Sequence, residues 1–80
     1  MTECTYLGYV IRLDVHEVGT GHPQAGRWVS GEYMIGRHTG GAYTERKFVH
    51  DADFFATRTE AEARTLALAR GTIDRGAVDF

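Results

Sequence analysis

Cysteine, proline and serine are nearly absent from this chain: Cys4, Pro23 and Ser30 are each the only residue of their type. A single cysteine excludes an internal disulfide framework and a cysteine-rich zinc site. There is no long apolar run and no basic stretch within residues 1–7, so the sequence predicts neither a membrane anchor nor a signal peptide. An excess of charge of one sign is lacking too, with 9 Lys plus Arg against 11 Asp plus Glu. The balance also holds locally. Within residues 1–50, Arg12, Arg27, Arg37, Arg46 and Lys47 offset Glu3, Asp14, Glu17, Glu32 and Glu45, whereas phosphate binding draws on a local surplus of positive charge.

What remains is a globular composition, 42% hydrophobic and 11% aromatic over 80 residues, which fits one domain spanning 1–80. A chain this short buries about 60–65% of its unfolded surface, so its core is marginal and a partner or second copy would add to it.

From Leu7 to Val15 the odd positions Leu7, Tyr9, Ile11, Leu13 and Val15 are apolar. Period two predicts a strand with the odd side inward and Tyr6, Val10, Arg12, Asp14 and His16 on the open side. Residues 19–26, with three glycines and Pro23, read as a loop. Trp28 to Arg37 reads as a second strand with Val29, Tyr33 and Ile35 inward and Trp28, Glu32 and Met34 outward. Gly40-Gly41 can supply the positive φ of a hairpin turn. Ala42 to His50 reads as a third strand whose inner side the pattern does not decide. Thr57 and Thr59 each precede a glutamate by three residues, Glu60 and Glu62, so either can open a capping box. The following helix places Glu62, Leu66, Ala69 and Ile73 within about 60° of one another. Because Ile73 keeps this register, the helix is predicted to cross Gly71 and stop at Gly76. Leu68 falls about 160° from Leu66, as an ordinary exposed or half-buried leucine or as part of a subunit contact. The fold class is therefore α+β, a three-stranded antiparallel meander packed on one face by a C-terminal helix.

Nucleophilic catalysis needs a nucleophile beside a base and an orienting group, and no such signature surrounds Cys4 or Ser30. The acids Asp51 and Asp53 follow a strand, where such residues bond their own backbone. A meander would bring His16, His22 and His50 to one end, near Asp51 and Asp53, with His38 at the other. Imidazole and carboxylate suit a first-row metal, yet no pair has the local spacing of a metal motif. Arg37, Arg46 and Lys47 flank the second turn as a small basic cluster, and an open face with Tyr6, Arg12, Trp28, Tyr43 and Lys47 carries residue types that stack on bases. The same face, with Tyr6, Val10, Arg12, Trp28 and Met34, and with Leu68 on the helix, fits a protein contact better in a chain of balanced charge.

The segments Tyr6 to Ile11, Arg27-Trp28-Val29, Phe55-Ala56-Thr57, Glu60 to Ala63, Ala69-Arg70 and Ile73-Asp74 resemble the layout of small, uncharacterised proteobacterial proteins of strand-strand-strand-helix order. That resemblance implies a cytoplasmic bacterial protein and brings no activity or site residues. The order is also similar to the last four elements of a double-stranded-RNA-binding domain, without its first helix and with Glu60 and Glu62 where that family carries lysines. The sequence thus predicts a binding module without a cofactor, joined to a second copy or to another protein. A nucleic-acid module and a histidine-based metal-binding protein are the alternatives.

Overall fold

The computed structural model describes residues 2–80. In chain order the elements are β1 (Thr2–Tyr6), β2 (Tyr9–Leu13), β3 (His16–Glu17), β4 (Trp28–Val29), β5 (Glu32–Thr39), β6 (Ala42–Val49), β7 (Phe54–Phe55) and α1 (Arg58–Asp74). They form a four-stranded sheet of order β1-β2-β5-β6 and a three-stranded sheet of order β3-β4-β7. Every strand pair is antiparallel. The α+β class and the C-terminal helix are as the sequence predicts, whereas the single three-stranded meander is replaced by two sheets.

Two local features cause the difference. Leu7 and Gly8 both have positive φ, 49° and 83°, and pair Tyr6 with Tyr9 across a tight turn. Such a turn matches the twist of its flanking strands. It folds Thr2–Tyr6 back as an extra edge strand and leaves Leu7 69% exposed instead of inward. The second feature is a bend across all three meander strands, beyond which β2, β5 and β6 continue as β3, β4 and β7. On one side Ser30 and Gly31 stand against the single residue Val15, between the pairs Leu13–Tyr33 and His16–Val29. On the other side His50 N–H donates to Gly31 O at 2.8 Å and Ser30 N–H to Asp53 O at 2.9 Å, leaving Asp51 and Ala52 as extra residues. Extra residues of this kind bend a ladder and increase its twist.

The helix covers one face of the larger sheet. Ile11, Leu13, Tyr33 and Ile35 pack there against Ala69 and Ile73, which bears out the inward side chosen for Ile11, Leu13, Tyr33 and Ile35. The third strand turns Phe48 inward, stacked on Tyr33 at 5.4 Å between ring centres. Thr57 is the N-cap: its hydroxyl accepts from Glu60 N–H at 3.2 Å and donates to the Glu60 carboxylate at 2.9 Å. The helix runs through Gly71 to Arg75 as its C-cap, and Gly76 follows at φ 67°. Its buried stripe is Ala61, Thr65, Ala69, Thr72 and Ile73, displaced from the predicted one because two threonines enter it. Thr65 donates to Ala61 O at 2.8 Å and Thr72 to Leu68 O at 3.0 Å, so each hydroxyl is satisfied within the helix. Among the described residues no helix is long and apolar enough to cross a membrane.

Gly31 is the residue on which the bend turns. Its φ is 112°, and a Cβ there would sit 3.1 Å from the carbonyl oxygens of both His50 and Asp51. Backbone strain and backbone crowding therefore add, and Gly31→Ala is expected to cost on the order of 2 kcal/mol or more. Urea denaturation measures this, and a change within about 0.5 kcal/mol, the range of ordinary surface substitutions, would contradict it.

Candidate functional site

Residues directly opposite one another in an antiparallel sheet share a face. The register therefore places Glu3, Arg12, Met34 and Lys47 in one row on the side away from the helix. Thr5, Val10, Gly36 and Glu45 make the next row, and the pairs His38–Tyr43 and Glu32–Val49 extend it toward the two ends. No element lies on this face among the described residues.

Its two cations are paired within the chain. Arg12 Nη1 lies 3.1 and 3.2 Å from the two Glu45 carboxylate oxygens, and Lys47 Nζ lies 3.3 Å from Glu32. Tyr43 donates its hydroxyl to Glu45 at 2.8 Å. Its ring crosses Gly36, where any side chain would collide with it. Partial burial, with the Glu45 hydrogen bond and charge, raises the Tyr43 phenol above its ordinary 10.0, against the opposing pull of Arg12. His38 packs on the Tyr43 ring at 4.7 Å. Glu3, Val10, Arg12, His38 and Tyr43 line a depression of about 240 Å³ that is open to solvent. The uncovered apolar groups here are Tyr43, 43% exposed, Val49, 67% exposed, and half-buried Val10 and Met34.

Of the residues expected to share an open face, the structure brings Val10, Arg12, Met34, Tyr43 and Lys47 together. Tyr6 is not among them, because the Leu7-Gly8 turn puts it in β1 on the helix side. There its hydroxyl donates to Asp74 at 2.8 Å and Arg70 lies 5.3 Å from its ring. That hydrogen bond raises the Tyr6 phenol. Trp28 lies in the smaller sheet opposite Phe55, with Arg58 5.7 Å from its ring. Leu68 is half-buried against the core. The expected basic cluster divides: Arg37 and Arg46 lie on the helix side, near Tyr9 and Asp79 at 5.2 and 2.8 Å, and Lys47 on the open side.

The histidines are dispersed as well. His16 is exposed in β3, His22 accepts from Gln24 N–H at 2.9 Å, and His50 lies 2.6 Å from the Tyr33 hydroxyl. Asp53 is paired with Arg64 at 3.5 Å. Among the described residues no three His, Cys, Asp or Glu side chains converge as a metal-ligand set. Ser30 donates to Asp53 O at 3.3 Å, and Cys4 is half-buried and free. The participants that the sequence reading passed over are Glu3, Glu45 and Val49. The signal for Glu45 and Val49 is the shared parity of residues 43, 45, 47 and 49, which opposes the parity of Phe48; Glu3 joins them through the β1–β2 register.

Behind the face, fully buried Tyr33 joins sheet to helix. Its hydroxyl meets His50 Nε2, Thr72 Oγ1 and, at 3.5 Å, Leu68 O. Burial raises this phenol above 10.0, while the Thr72 hydrogen bond and Arg75 pull it down less strongly. A raised folded-state value means that unfolding releases a proton, so this part of the stability is complete below pH 10 and is lost as pH rises through the folded value. Tyr33→Phe is expected to cost about 1–2 kcal/mol near neutrality and to flatten the alkaline decline. Urea unfolding from pH 8 upward measures both, and an equally steep decline in the variant would contradict the assignment.

No protein-family model, no curated protein and no solved structure matches this chain, so the reading of the face rests on its own residues.

Proposed function

We propose that this chain is a non-enzymatic interaction module that binds a second copy of itself, or another protein, through its four-stranded sheet. One observation carries the reading: Val10, Met34, Tyr43 and Val49 lie uncovered on a sheet face whose two cations, Arg12 and Lys47, are already bonded to acids of the same chain. Apolar area removed from water stabilises a complex by about 25 cal/mol per Å². Cations engaged by neighbouring carboxylates, by contrast, do not offer a phosphate backbone the free positive charge from which its binders draw affinity. A small core adds to the reason for association. We further propose a cytoplasmic location, with which a chain built without disulfides is compatible.

Light scattering across a concentration series tests self-association. The expected mass rises toward twice that of one chain as concentration increases. A single-chain mass throughout would contradict self-association, and salt-sensitive retention on RNA or DNA would replace it with the nucleic-acid reading.

A further inference from the structure

The larger sheet ends in an unusually regular edge. Strand β6 is eight residues long, contains no proline or glycine, and among the described residues pairs only on its β5 side. The two-residue turn Gly40-Gly41 has positive φ at both positions, 57° and 83°, so Thr39 and Ala42 form the hydrogen-bonded closing pair. Alternation along an antiparallel ladder then directs the backbone groups of Thr44, Arg46 and Phe48 toward β5. Those of Tyr43, Glu45, Lys47 and Val49 point outward from the edge. An edge of this kind is a template for another strand.

We infer that β6 pairs antiparallel with β6 of a second copy, in the register centred on Arg46, so that the two four-stranded sheets become one. The inference rests on the self-association proposed above and specifies its geometry. A two-fold axis allows few registers, and side-chain chemistry separates them. Centring on Glu45 sets Glu45 against itself and Tyr43 against Lys47, and centring on Lys47 sets Lys47 against itself and Glu45 against Val49, so neither register makes an opposite-charge or an apolar pair. Centring on Thr44 leaves Lys47 facing the Gly41 turn. Centring on Arg46 sets Glu45, which keeps its bond to Arg12, against Lys47 of the second copy, which keeps its own to Glu32, so that charges alternate across the junction; it also sets Tyr43 against Val49 of the second copy, each pair occurring twice by symmetry. All four residues have outward backbone groups, so each pair exchanges two main-chain hydrogen bonds. With Leu7 of the β1–β2 turn, Tyr43 and Val49 are the large apolar side chains left exposed among the described residues, and these two lie on β6. The residue on the axis, Arg46, meets its own copy on the helix side, and each guanidinium there is already bound to its own Asp79 at 2.8 Å.

A cysteine scan reads the register. Single cysteines are placed at 44, 45, 46 and 47 in a Cys4→Ala background and oxidised in a glutathione buffer. A non-hydrogen-bonded pair brings Cα atoms to about 4.5 Å, within disulfide reach, whereas positions one residue off the axis lie beyond it. Arg46→Cys is expected to form covalent dimer at least about tenfold faster than the other three. Faster reaction at 44, 45 or 47 would overturn the register. A dimer that persists by light scattering but cross-links at none of the four would overturn the edge junction while leaving self-association intact. A single-chain mass at every concentration would remove both. Lys47→Pro gives an independent reading, because it deletes an outward N–H at an edge, where proline is tolerated, and leaves the β5 ladder complete. It is expected to yield a monomer with unchanged circular dichroism, and a folded variant that still dimerises would contradict the proposal.

Discussion

A phenol hydroxyl enclosed at the centre of so small a protein must find its hydrogen bonds inside the fold, and the rest of the structure is arranged around the way Tyr33 does so. Its ring fills the core between Leu13 and Phe48 in the register of the sheet. Its hydroxyl reaches past the sheet to Thr72 and the Leu68 carbonyl on the helix and to His50 beyond the end of β6. Leaving such a group unpaired would cost about 1–3 kcal/mol, a large share of a small domain's stability. Helix position, the entry of Thr72 into the buried stripe and the turn of the chain at His50 are therefore linked to one side chain. All side-chain polar atoms that are buried among the described residues find partners.

This arrangement commits one face of the sheet and frees the other. Helix α1 and the segment ending in Val78 and Phe80 occupy the side of Ile11, Tyr33 and Ile35. The opposite side keeps Arg12, Glu45 and Tyr43 in one hydrogen-bonded set, with apolar groups between the charges. The bend at Gly31 separates this region from the smaller sheet, where Trp28 and Phe55 sit near the start of the helix. The uncovered surface is consequently a strip along β2, β5 and β6 that ends in an open strand edge.

Much of this was legible in the sequence where period and chemistry agree. Ile11 and Leu13, then Tyr33 and Ile35, alternate cleanly, and Thr57 with Glu60 marks the helix start through a specific pair of hydrogen bonds. The failures have equally local causes. Strand β1 carries Thr2, Glu3, Cys4, Thr5 and Tyr6, a pattern without strong apolar alternation. The turn beside it uses Leu7 at positive φ, a conformation that bulky residues seldom adopt. At the helix, Thr65 and Thr72 read as polar, yet their hydroxyls bond backward to the helix and let them enter the core. The open face was half legible for the same reason: Val10, Arg12 and Met34 follow from parity, whereas Tyr6 and Trp28 left it through a turn and a bend that period alone does not reveal.

The central claim is that this module acts by joining sheets along β6, and amide hydrogen exchange resolved by residue tests it most directly. At low concentration the amides of Thr44, Arg46 and Phe48 should be protected, since they bond to β5, while those of Tyr43, Glu45, Lys47 and Val49 exchange freely. Raising the concentration should slow exchange at these four together and leave the others unchanged. Four edge amides that stay equally fast at concentrations where two chains associate would contradict the account.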